Sequence, residues 1–73
     1  MVDIAKRIAE AKRLALLEGD NMRFLELDNL LTRITILTEN ATSALIKGDT
    51  AEFMRLELQR SNLIEDFNRK EAA

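Results

Sequence analysis

From Asn21 to Ile46 the apolar residues recur at alternating steps of three and four, and the segment is bracketed by one dipeptide used twice, Gly19-Asp20 and Gly48-Asp49. Phe24, Leu27, Leu31, Ile34, Thr38, Ala41 and Leu45 follow the a/d rhythm of a helix that packs on other helices. Leu30, Leu37 and Ala44 widen the stripe on one flank, which suits a helix with two neighbours. Thr38 to Ser43 lowers the helix propensity, because Thr, Asn and Ser compete for backbone hydrogen bonds. The rhythm continues through it, so the spacing predicts one helix over 21–46, with a break at Thr38–Ser43 as the alternative.

The flanking segments read as helices of about 3–18 and 50–70. Asp3 caps the first, and Ile4, Ile8, Ala11, Leu14 and Ala15 share its inner face. Gly19 supplies the left-handed residue that ends it, and Asp20 caps the central helix. So short a link predicts an antiparallel hairpin, with Ala15 near Phe24, Ala11 near Leu27 and Ile8 near Leu31. Gly48 and Asp49 repeat the arrangement, and Asp49 with Glu52 spells a D-x-x-E capping box. Phe53, Leu56, Leu63, Ile64 and Phe67 form the inner face of the third helix. Arg69 and Lys70 suit its negative end, and Glu71-Ala72-Ala73 is expected to fray.

The expected fold is therefore all-α: one helical domain over 1–73, an antiparallel three-helix arrangement joined by tight Gly-Asp turns and self-associating into a helical bundle. The stretch Ala15–Asp28 aligns without a gap on Ala44–Glu57, 29 residues on, with six identities: Ala, Leu, Gly, Asp, Phe and Leu. Two helix-turn-helix corners need the same parts, and a duplicated unit is the other explanation. The pattern resembles hairpins in tetratricopeptide-like repeats and in small flagellar export chaperones. The resemblance covers the turns and carries no function across.

Composition narrows the function classes. At 73 residues a single core barely offsets the entropy of ordering it, and without cysteine no disulfide can help, so self-association is expected. The absence of His, Cys, Tyr and Trp removes the usual general base, the thiol nucleophile and the common metal ligands. Glu26 with Asp28, and Glu65 with Asp66, are too close in sequence to aim at one site from a helix. No glycine-rich phosphate loop exists. The expectation is no enzyme, no cofactor and no metal.

A net charge of −2 gives no electrostatic reason to bind nucleic acid or an anionic membrane. The longest apolar run is four residues, Leu14 to Leu17, too short to span a bilayer, and Lys6, Arg7, Lys12 and Arg13 interrupt any signal-peptide core. A cytoplasmic location is expected. Asn40-Ala41-Thr42 spells a glycosylation acceptor, which in such a helix is read as chance. The four basic residues do not share a face: Lys6 aligns with Arg13 alone, and the first helix holds no aromatic for base stacking.

The informative residues are apolar ones off the core stripe. Met54 and Leu58 on the third helix, Met22, Leu25 and Ile36 on the central one, and Leu16 on the first, joined by Ala5 and Ala9, form a second face. A set repeated on three helices predicts a partner or self-association surface, and methionine suits adaptable contacts. Arg60 stands in the a/d rhythm between Leu56 and Leu63. Its stem can pack at the core edge while the guanidinium reaches water, or its charge can fix register by pairing across an interface. The expected function is a non-enzymatic protein-interaction module, a small regulator, inhibitor, adaptor or chaperone whose partner is another protein or a second copy, a homodimer. The alternatives are a structural subunit of a larger assembly, such as a phage or secretion particle, and a weak nucleic-acid binder through the first helix.

Overall fold

A computed structural model describes residues 3–72. It is all-helical, with three helices and no strand among the described residues: α1 Ile4–Leu17, α2 Asn21–Ile46 and α3 Thr50–Ala72. The chain divides into two compact units, Met1–Arg33 and Ile34–Ala73, so that α2 contributes its first half to one and its second half to the other.

Each helix starts and stops for local reasons. Asp3 caps α1, its carboxylate accepting from the Ala5 N–H at 3.0 Å. At the end of α1, Gly19 turns into the left-handed region at φ +74°, which lets the Asp20 N–H reach the Ala15 carbonyl and the Gly19 N–H the Leu16 carbonyl. Those two bonds satisfy carbonyls that the last helical turn would otherwise leave bare. Asp20 then begins α2 by accepting the Arg23 N–H at 3.1 Å. Gly48, at φ +76°, and Asp49 repeat every one of these bonds, ending with the Glu52 N–H on the Asp49 carboxylate at 3.1 Å.

The reciprocal half of the expected capping box does not form. The Asp49 N–H is committed to the Ala44 carbonyl, and the Glu52 carboxylate takes the Arg55 guanidinium instead. α3 continues to Ala72, two residues past the expected end at Lys70, and Ala73 lies outside the described residues. Arg69 and Lys70 in the last turn complement the helix dipole there, and no breaker follows them.

α2 runs unbroken through Thr38–Ser43. The Thr38 hydroxyl donates to the Ile34 carbonyl at 2.8 Å and the Thr42 hydroxyl to the Thr38 carbonyl at 2.9 Å. Both hydroxyls are thus spent within the helix and do not divert the backbone from it.

Among the described residues the buried side chains of the first unit are Ile8, Ala15 and Leu27, with Ile8 and Leu27 sealed from solvent. In the second they are Ile34, Ala41, Ala44, Leu56 and Phe67; Leu37 and Phe53 pack against the cluster of Ala41, Ala44 and Leu56. Three residues expected on the inner stripes are outside the core, Thr38, Leu14 and Leu45. Leu14 and Leu45 are both more than half exposed, while their neighbours Ala15 and Ala44 are buried. Successive helical residues point about 100° apart, so packing through Ala15 and Ala44 turns the adjacent leucines outward.

Candidate interaction surface

Of the residues singled out by sequence, Leu16, Met22 and Leu25 belong to the first unit, and Ile36, Met54, Leu58 and Arg60 to the second. The six apolar ones are all half exposed or more. Within each unit the helix fixes how they associate. Met22 and Leu25 are three apart on α2, and Met54 and Leu58 four apart on α3, so each pair makes one continuous strip. Ala5 and Ala9 are exposed on α1 at the same four-residue spacing.

Among the described residues the most exposed large apolar side chains are two that sequence reasoning passed over: Leu17 at 74% and Ile46 at 80%. Each is the last residue of its helix, just before a corner. Leu45 and Leu14 join them, displaced from the core as described. The gapless alignment of the two corners held the signal, because it sets Leu16-Leu17 on Leu45-Ile46, immediately after the buried Ala15 and Ala44.

Several charged side chains pair within their own unit. Lys12 bridges α1 to α2, its Nζ 2.7 Å from Asp28 and 5.2 Å from the Phe24 ring centre. That contact uses one of the four basic residues of α1 and shields half-buried Phe24. Arg23 faces Glu26 at 3.8 Å, and Arg69 pairs with Asp66. Arg55 binds Glu52 through both arms of its guanidinium. Hydrogen bonding from Arg55 holds the Glu52 carboxyl below its ordinary range against some desolvation, and the charge of Arg55 adds to it; the same contacts raise the Arg55 guanidinium.

Arg60 is one-third exposed and pairs with Glu57 on its own helix, Nη1 to Oε2 at 3.3 Å. Its Nε is buried without a hydrogen-bond partner. The guanidinium therefore has one edge shielded from solvent and the other on a carboxylate three residues back along α3.

An open cleft of about 300 Å³ at the corner between α2 and α3 is lined by Asn40, Ser43, Lys47, Asp49, Glu52 and Arg55, among others. Its acidic groups are already engaged, Asp49 as a helix cap and Glu52 with Arg55. Among the described residues no group of three or more His, Cys, Asp or Glu side chains is placed to hold a metal ion. No helix among them is long and apolar enough to cross a membrane. No protein-family model, curated protein or solved structure matches the chain.

Proposed function

We propose that the chain is a non-enzymatic protein-interaction module that presents apolar helix faces from antiparallel hairpins. The antiparallel reading is supported by Lys12, which meets both Phe24 and Asp28, and by glycines of positive φ between successive helices. The interaction reading rests on one observation: Met54 and Leu58, one turn apart on α3, are exposed, while Leu56 between them is buried. Two large apolar side chains on one strip of a surface this small are a contact awaiting a partner protein.

A tagged chain and its Met54→Glu/Leu58→Glu variant, each used to capture binders from cell extract, provide the test. The variant is expected to keep the helical circular dichroism of the parent and to lose the proteins the parent captures, copies of itself included. Capture of the same set by both would remove this face from the proposal.

A further inference from the structure

The exposed strip of α3 carries one chemically reactive group, the thioether of Met54. The chain has no Cys, Trp, Tyr or His, so a two-electron oxidant finds only the sulfurs of its three methionines. Met1 lies outside the described residues. Met22 is 71% exposed and Met54 65%, while the buried side chains among the described residues are Ile, Leu, Ala and Phe. Oxidant therefore reaches both sulfurs without a helix opening, and adding oxygen to either leaves the buried side chains untouched. On α3 the change falls within the strip, because exposed Leu58 lies one turn on and the intervening Leu56 is buried on the opposite side of the helix. Leucine suits the same place in a corner of this kind: Leu25, the counterpart of Met54 at the 29-residue offset, is also more than half exposed.

We propose that Met54 makes the α3 contact redox-sensitive: hydrogen peroxide oxidises its thioether to the sulfoxide, and the oxidised strip releases the protein that covers it. This rests on the reading that Met54 and Leu58 form a contact, and it adds how that contact is controlled. A sulfur lone pair attacks one peroxide oxygen, and the S–O bond forms as the O–O bond breaks. Sulfur gives up two electrons, and the departing hydroxide takes the proton from the sulfur-bound oxygen and leaves as water. The product differs from methionine by one oxygen, but that oxygen is a strongly polar acceptor which water solvates. An apolar partner surface strips that water without replacing its hydrogen bonds, whereas the thioether gains from the same burial. Two thiols reverse the change through a methionine sulfoxide reductase, supplying two electrons and two protons while the oxygen leaves as water.

The test uses the tagged chain, treated with hydrogen peroxide that is removed before the chain meets cell extract. The probe is the set of proteins that the untreated chain captures and its Met54→Glu/Leu58→Glu variant does not. Mass spectrometry is expected to find one added oxygen at Met54 and one at Met22, with the helical circular dichroism unchanged. Capture of that set should fall by about tenfold or more. The two methionine sulfoxide reductases, one for each sulfur epimer, with dithiothreitol should restore it. Met54→Leu should capture the same set before and after peroxide, although its Met22 is still oxidised. Undiminished capture by the oxidised parent, an equal loss in Met54→Leu, or a loss of helicity on oxidation overturns the proposal and leaves the contact reading standing. A Met54→Glu/Leu58→Glu variant that captures everything the parent does would instead remove the contact itself, and this control with it.

Discussion

Leu27 and Leu17 are the same residue type in the same unit, yet they should behave oppositely. Leu27 is sealed, so Leu27→Ala removes a buried side chain and leaves a cavity, a loss of about 2–5 kcal/mol. Leu17 is mostly in water, and Leu17→Ala should change stability by no more than about 0.5 kcal/mol under conditions where the chain is monomeric. Urea titrations of the two variants at low concentration give both numbers, and equal losses would contradict the burial described. Glu52 offers a pH test of direction. Its carboxyl is held below its ordinary value in the folded chain, so its contact with Arg55 contributes stability above the ordinary glutamate range. That contribution is lost as pH falls through the lowered folded value. Thermal melts of the parent and of Glu52→Gln should therefore differ near neutral pH and converge in acid; a difference that persists in acid would assign the effect to something other than ionisation.

At the scale of the element, α2 was legible as a helix from the spacing of Leu27, Ile34 and Ala41, all three buried. Periodicity is a property of one helix and survives whatever packs on it. Which edge of the stripe is covered is not such a property. Ala44 and Leu45 are both apolar and adjacent, and the choice between them depends on where α3 approaches, which only the folded unit decides. The same limit applies to the surface residues: Met54 and Leu58 were visible as lying off the stripe, whereas Leu17 and Ile46 end their helices, where a stripe has no next turn to define it. The charge of Arg60 was visible, but not that its carboxylate would be Glu57 of its own helix. The hydroxyls of α2 give a further prediction. Thr42 is exposed and its hydroxyl bonds only back along the helix, so Thr42→Ala should stabilise the chain by about 0.5 kcal/mol through helix propensity. A loss of stability in a denaturant titration would mean that the hydroxyl serves something beyond α2.

For the whole molecule, the division at Arg33 and Ile34 falls inside a helix, not in a loop. The units hold 33 and 40 residues, at or below the size at which a chain sustains a core without a staple. Among its described residues the second buries five apolar side chains, two of them alanine. A peptide of residues 34–73 is therefore expected to be largely unfolded at low micromolar concentration, by circular dichroism at 25 °C. A cooperative melt from that peptide alone would show that the unit needs nothing from the rest.

The corner glycines have a stereochemical consequence. Gly19 and Gly48 occupy the region that L-residues avoid, and a methyl group built on either meets nothing within 4 Å. At both positions the backbone has the torsion natural to a mirror-image amino acid. A synthetic chain carrying D-alanine at 19 and 48 should keep the native corners while restricting the unfolded chain, gaining about 0.4–1 kcal/mol at each site. L-alanine at the same atoms should cost about 1–2 kcal/mol. Handedness, with size and polarity held constant, would then set the sign of the effect.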